Sequence, residues 1–197
     1  MGAHAKEKKQ KIEKKKKPQP APCSEAEKKF ALRREYFPNG NLRAELSYTY
    51  DGKQNGATKT FYPSGALAAE MQYLDNVLHG ATRHYYESGG LKAEMIYIAG
   101  RREGRYVAYY ETGALQTEAQ YLGGRLNGDC KVYYEAGGLQ EEASFKDNQR
   151  HGPGKTFTER GLLQTESDFK DGVIVSYKEY DEKGNVKPVM NWQKKQE

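Results

Sequence analysis

Cysteine, tryptophan, histidine and long apolar runs are all scarce in this chain of 197 residues. Cys23 and Cys130 form no CxxC pair. Neither a disulfide framework nor a thiolate metal cage is therefore expected, and a reducing, cytoplasmic setting fits. His4, His79, His84 and His151 stand singly, without HxH or HExxH spacing, and no GxxxxGK[ST] phosphate loop occurs. No apolar run approaches the ~20 residues of a membrane-spanning helix. No apolar stretch follows the N-terminal positive charges, as a signal peptide would require. Against one Trp and six Phe there are sixteen Tyr. Most of the ring surface thus carries a hydroxyl, which suits half-wet faces better than a deep core.

What is abundant is glycine at a fixed interval. Gly65, Gly89, Gly113, Gly137 and Gly161 are each 24 residues apart; Gly40 lies 25 before the first and Gly184 lies 23 after the last. A period of this length marks a repeat architecture. Let each of these glycines be position zero. Position −4 is then Tyr36, Phe61, Tyr85, Tyr109, Tyr133, Phe157 and Tyr180. Position +2 is Leu in six copies and Val186 in the last, and +5 is Glu45, Glu70, Glu94, Glu118, Glu142 and Glu166, then Val189. Position +8 is aromatic throughout, from Tyr48 to Trp192. Seven units over residues 30–192 follow, with a short C-terminal tail at 193–197.

Each unit reads as a β-hairpin. Leu91, Ala93, Met95 and Tyr97 alternate with Lys92 and Glu94, the period of two of a half-buried strand. Asn39-Gly40, Ser64-Gly65 and Lys183-Gly184 precede outgoing strands; Asp51-Gly52, Asp75-Asn76, Gly123-Gly124, Asp147-Asn148 and Asp171-Gly172 end them. Two-residue turns at both ends put Tyr86 opposite Leu91 and Arg83 opposite Glu94. The same register pairs Arg34 with Glu45, Lys59 with Glu70, Lys131 with Glu142 and Lys155 with Glu166; Val107 opposite Glu118 and Lys178 opposite Val189 break it. A bulged turn would set the −4 aromatics beside Leu +2 instead; the charge pairs favour the first arrangement. On it, Leu +2 shares a face with +4, +6, +8 and −3, and the −4 aromatics lie on the other face between Lys/Arg −6 and Glu +5. A 24-residue unit with two such turns requires each hairpin to slip by two residues or one turn to widen. Gly56, Gly80, Gly104, Gly128 and Gly152 sit just before the incoming strands, leaving room for large neighbours or allowing a bend. The fold class is all-β: tandem hairpins forming one elongated, twisted antiparallel meander, with Pro188 suited to a terminal edge strand.

Residues 1–29 differ in kind. Ten Lys against four Glu give this segment +6 in a chain whose total is +5, so the remainder sums to −1. Lys6, Lys8, Lys9, Lys11, Lys14, Lys15, Lys16 and Lys17 surround a single aliphatic residue, Ile12, so a disordered or helical tail is expected. Pro18-Gln19-Pro20-Ala21-Pro22 then forms a stiff linker. The lysines are either a solubilising tail or an electrostatic tether to anionic membrane or nucleic acid. The tether would add a membrane-peripheral location.

The aromatic-aromatic-x-x-Gly-x-Leu-x-x-Glu-x-x-aromatic unit, as in Tyr109 to Tyr121, resembles the MORN variant repeat of bacterial YwqK-type antitoxins. The resemblance covers about four-fifths of the chain, with the missing glycine at Ser176 and the lysine tail as departures. It implies a train of hairpins in one sheet and a role in binding protein or membrane; the antitoxin grouping implies neutralisation of a toxin. The residues alone offer no catalytic cluster, because each Glu has a basic partner and a repeat-wide place. A non-enzymatic scaffold without metal or cofactor is expected. Its partner-binding face is Tyr36, Phe61, Tyr85, Tyr109, Tyr133 and Phe157 with Arg34, Lys59, Arg83, Lys131 and Lys155. His79 and His151 recur at one repeat position and read as polar turn residues; Cys130 reads as a packing residue.

Overall fold

The computed structural model describes residues 30–188. The lysine tail and the expectation of disorder or helix for it lie outside the described residues, as do Val189, Trp192 and 193–197. The strands are β1 (Phe30–Tyr36), β2 (Leu42–Thr49), β3 (Gln54–Phe61), β4 (Leu67–Leu74), the short β5 (Val77–Leu78), β6 (Gly80–Tyr85) and β7 (Leu91–Ile98). They continue as β8 (Arg101–Tyr109), β9 (Leu115–Leu122), β10 (Arg125–Tyr133), β11 (Leu139–Lys146), β12 (Gln149–Phe157), β13 (Leu163–Lys170) and β14 (Val173–Glu179). All lie in one open antiparallel sheet in sequence order, with β5 pairing β4 beside the main path. Hairpins joined by short turns lead to this meander, since an antiparallel neighbour needs only a few linking residues.

The two ends of each hairpin use different turns. At the turn-glycine end, Tyr86 N–H donates to Gly90 O (2.8 Å) and Gly89 N–H to Tyr86 O (2.9 Å). The loop therefore holds three residues, Glu87, Ser88 and Gly89, with Gly89 at φ +93°. That is a type I turn closed by a left-handed glycine. All seven copies repeat it, down to Asp181 and Asn185. The opposite ends use two-residue turns, both residues at positive φ, at Asp75-Asn76, Ala99-Gly100, Gly123-Gly124, Asp147-Asn148 and Asp171-Gly172. Asp51-Gly52 is instead a three-residue turn closed by Thr49 and Lys53, which accounts for the 25-residue first interval.

Two irregularities reconcile the sequence-based register with its alternative. In the strand bodies the charged pairs stand: Arg34↔Glu45, Lys59↔Glu70, Arg83↔Glu94, Lys131↔Glu142 and Lys155↔Glu166. Nearer the glycine turn a bulge skips Lys92, so Tyr85, not Tyr86, faces Leu91. Leu +2 thus shares the −4 aromatic face, contrary to the alternation read from the sequence. Lys92 turns to the other side, its ammonium 5.2 Å from the Tyr86 ring centre. The second irregularity absorbs the predicted slip of two. Ile96 faces Glu103 and Glu94 faces Val107, so Gly104, Arg105 and Tyr106 together stand opposite Met95. Gly56, Gly80, Gly104, Gly128 and Gly152 lie within the incoming strands, not before them, and all have positive φ. At Ser176, where that glycine is missing, only one residue is extra. Pro188 follows an isolated Tyr180↔Val186 bridge and lies in no strand.

Among the described residues nothing is layered on the sheet, so burial comes from neighbouring side chains on the same face. One face, the trough face, buries Ala44, Ala69, Ala93, Ala108, Ala119 and Ala143 with Met95, Thr58 and Thr82. These small residues sit between a row of −3 aromatics and a row of +8 aromatics, whose taller rings screen them. The two threonines differ in one respect. Gln54 Nε2 donates to Thr58 Oγ1 at 2.7 Å, but Leu78 takes the place of Gln54 in the next repeat, and Thr82 Oγ1 is buried without a partner. Thr82→Val should therefore stabilise the chain by about 1 kcal/mol, while Thr58→Val should destabilise it by a similar amount by orphaning Gln54. Urea melts of the two variants check the opposite signs.

Candidate functional site

The ladder face carries the residues singled out from the sequence, and the structure brings them together in two parallel rows. Nearest the glycine turns, each −4 aromatic stands opposite Leu +2: Phe61↔Leu67, Tyr85↔Leu91, Tyr109↔Leu115, Tyr133↔Leu139 and Phe157↔Leu163. Tyr36 pairs Leu42 in the same way and is 59% exposed, more than its half-buried counterparts. Behind them runs a row of alternating charge. Each Glu +5 pairs within its own hairpin and also across to the next incoming strand, as in Glu45↔Lys59, Glu70↔Arg83, Glu118↔Lys131, Glu142↔Lys155 and Glu166↔Lys178. Arg34, Lys59, Arg83 and Lys155 contact their hairpin glutamates at 2.8, 3.2, 3.3 and 3.8 Å. At Val107, the interruption seen in the sequence, Arg105 reaches Glu118 instead.

The rows are stitched to each other. Tyr85 and Tyr133 donate from their hydroxyls to Glu70 (3.0 Å) and Glu118 (3.3 Å), and Tyr180 donates to Glu166 (2.6 Å). Lys59 and then Tyr85 hold the Glu70 carboxyl below its ordinary range. Arg105 leads the same effect on Glu118, and the Tyr180 hydroxyl leads it on Glu166. Burial pushes the Tyr85 and Tyr133 phenols up. Much of the predicted binding face is thus internally compensated. Lys131 and Lys155 also flank a depression of about 210 Å³ with Asp129, Glu142 and Pro153.

This wiring sets a pH dependence. The three carboxyls bind protons less readily folded than unfolded, so their contribution is complete above the ordinary glutamate range and is lost as pH falls through it. Stability should hold from neutral pH to ~5.5 and drop below ~4.3. Lys59→Met should flatten that acid limb more than Tyr85→Phe, because the lysine is the larger influence on Glu70. Urea midpoints from pH 7 to about 3 measure it.

The trough face has a feature that sequence reasoning missed. The hydroxyls of Tyr62, Tyr86, Tyr110 and Tyr134 each donate to a backbone carbonyl one repeat onward, on Tyr85, Tyr109, Tyr133 and Phe157, at 2.7–2.8 Å. The signal was present: position −3 is Tyr in these four copies and Phe37, Thr158 and Asp181 in the flanking ones. Across the small-residue floor, Arg102 lies 5.2 Å from the Tyr121 ring centre and Arg150 5.3 Å from that of Phe169. Between the two aromatic walls, Thr60, Tyr62, Met71, His84, Lys92, Met95 and Tyr106 line a shallow depression of about 430 Å³. Burial, and secondarily the Lys92 charge, holds His84 below its ordinary pKa.

Residues considered for chemistry have structural places. His79 Nδ1 and His151 Nδ1 accept from the turn amides of Ala99 and Asp171, both at 3.4 Å. Glu103 does the same for Gly123. Cys130 is half-buried on the trough floor, and burial raises its thiol pKa. Among the described residues no three His, Cys, Asp or Glu side chains gather as a metal cluster, and no helix is long and apolar enough to cross a membrane.

The model of the MORN repeat variant matches residues 31–50, 54–75, 78–99, 102–122 and 126–147, more than half of the chain. The chain belongs to the MORN repeat variant family. Each match holds most or all of an incoming strand, the three-residue glycine turn and the outgoing strand with its glutamate. The MORN architecture continues past the last match, because Lys155↔Glu166 and Phe157↔Leu163 reproduce the same register in β12 and β13. No curated protein matches the chain.

Proposed function

We propose that this MORN chain is a non-enzymatic scaffold that holds another protein against its trough face, and that the partner is a toxin neutralised by being covered. The observation that carries this reading is the trough itself. It is a shallow depression of about 430 Å³ floored by Met71 and the buried Ala69, Ala93 and Met95, between two half-exposed aromatic walls, with no described element over it. A single-layer sheet has two faces, and an open apolar one is the usual mark of an interaction surface. The ladder face, by contrast, satisfies much of its charge internally. The antitoxin part rests on the resemblance of the repeats to those of that group. A sheet spanning several hairpins is suited to occlusion, because no single residue need do the work.

Co-expression with the product of the adjacent gene tests it. Co-purification and relief of that product's toxicity are expected. Met71→Lys should weaken capture at least ~10-fold by placing a charge on the trough floor. Ile96→Lys, on the opposite face and 49% exposed, should leave capture unchanged. Equal loss with both variants, or no capture at all, removes the trough from consideration.

A further inference from the structure

The glycine-turn edge carries two parallel rows, the tyrosine wall of the trough and an acidic row that the trough reading does not use. One is the ridge of Tyr62, Tyr86, Tyr110 and Tyr134, whose hydroxyls are occupied by backbone carbonyls. The ridge therefore offers ring surface, not hydrogen bonds, and at Tyr86 the Lys92 ammonium already stands 5.2 Å from the ring centre. The other row is Glu87, Glu111, Glu135 and Glu159, which follow the −3 residue in four successive turns and are exposed. Glu111 and Glu135 accept hydroxyl bonds from Ser88 (2.8 Å) and Thr112 (3.1 Å) of the preceding turn. Among the described residues none of these four carboxylates is in an ion pair. Of the +5 glutamates behind them, Glu45, Glu70, Glu94, Glu118 and Glu166 are each in an ion pair. The edge is thus an aromatic ridge beside an uncompensated acidic row, both with the period of the repeat.

That period selects a ligand conformation. Successive repeats are two strands apart, or about 9.6 Å at ordinary sheet spacing. A polyproline-II helix turns once in three residues and ~9.3 Å, so every third residue meets the next rung from the same side. An extended strand covers nearly the same distance in three residues but reverses its side chain at each rung. An α-helix has a pitch of about 5.4 Å and no whole turn that fits. Rows of aromatic rings are also the surface on which proline-rich segments dock.

The chain contains a segment of this chemistry upstream of β1: Lys14 to Lys17 followed by Pro18-Gln19-Pro20-Ala21-Pro22. Seven residues lie between Pro22 and Phe30, so the eight Cα–Cα steps joining them span up to ~28 Å. The diagonal from the start of β1 to the Tyr62 turn is about 24 Å, from strand rise and spacing. Pro22 therefore reaches the second rung. Continuing backward along the edge, the four lysines arrive at Glu87 and Glu111.

We propose that the glycine-turn edge is a binding surface for a lysine-flanked polyproline-II segment, and that its occupant is the chain's own Lys14–Pro22. Pro22 lies on Tyr62; three residues on, Gln19 meets the Tyr86 rung with Pro18 and Pro20 on either side of it, and the lysines that follow face Glu87 and Glu111. This goes beyond the trough reading: the two share the −3 tyrosine wall, but the acidic row belongs to the edge alone, and the test below reads it apart from capture of a partner.

Cys23 supplies the probe. In the full chain carrying Cys130→Ala (or Cys130→Ser should the first fold poorly), a spin label on Cys23 should broaden the amides of residues 62–66 and 86–90. The turns at 75–76 and 99–100, on the opposite edge, should be spared. Combined Glu87→Gln, Glu111→Gln and Glu135→Gln should abolish the effect. So should Pro18→Ser with Pro20→Ser and Pro22→Ser, or about 0.5 M salt, where the screening length falls to ~4 Å. Three results overturn the proposal: uniform or absent broadening, broadening that survives the triple glutamine change, and broadening seen only between chains in a mixed sample. The last would make a second copy the occupant. None of the three decides whether the trough captures a toxin, which the Met71→Lys comparison reads separately.

Discussion

Replacing Val107 with aspartate should unfold the middle of the sheet, whereas replacing it with lysine should leave the sheet standing. Val107 is 2% exposed, the least of any large apolar residue, and on burial alone both changes would be ruinous. Its position in the row of charges decides otherwise. Val107 faces Glu118 within its hairpin and Glu94 across to β7. In the equivalent slot, Lys59 and Lys155 keep side chains 44% and 41% exposed while bridging Glu70 and Glu166. A lysine at 107 can thus cover the same surface with its stem and lift its ammonium to two glutamates. It gives up part of a burial worth ~2 kcal/mol and regains about 0.2–1 kcal/mol per cross-strand pair, a net change within ~1 kcal/mol. Aspartate loses the burial and sets a third carboxylate between two others, so a loss above ~3 kcal/mol is expected. Urea midpoints by circular dichroism separate the two. Equal damage from both would show that the row is packing alone.

The second large effect belongs to Gly80. It has φ +109°, and a Cβ there would lie 3.2 Å from Gln72 Cβ. Gly80→Val combines a backbone conformation that branched residues avoid, ~1–3 kcal/mol, with overpacking of similar size. A total loss of about 2–5 kcal/mol is expected. Gly89→Asn is the comparison: Gly89 also has positive φ, but nothing lies within 4 Å of its would-be Cβ. Asparagine tolerates such turns, so the cost should stay near ~1 kcal/mol. Repeats contact only their neighbours, so amide exchange in Gly80→Val should lose protection in β4, β6 and β7 before β10 to β12. The chain contains its own control at Ser176, where a side chain replaces the glycine and the two-residue excess falls to one.

The hairpin train, the charged pairs and most two-residue turns were legible because each recurs, and recurrence turns a weak local signal into a strong one. Ala99-Gly100 escaped because alanine is a poor advertisement for positive φ; there the sister copies enforce the turn. The assignment of Leu +2 and Lys92 to their faces failed for a different reason. Period two carries no mark of a bulge between +2 and +4, and one skipped residue exchanges the faces of everything on its turn side. The tyrosine ridge was visible as a Tyr-versus-Phe choice at −3, but not its acceptor, which belongs to the next repeat.

The sequence by itself determined the unit, its length, its antiparallel pairing and the five cross-strand charge pairs within the hairpins. These depend on neighbours at fixed spacing along the chain. Only the tertiary structure decided which surface is left open. Opposing Glu +5 to a cation on both sides requires consecutive hairpins to dock with a two-residue excess at Gly80 and its equivalents, a condition between repeats that no single repeat records. That docking spends the ladder-face charges on one another, and leaves the apolar trough and the acidic turn edge without partners among the described residues.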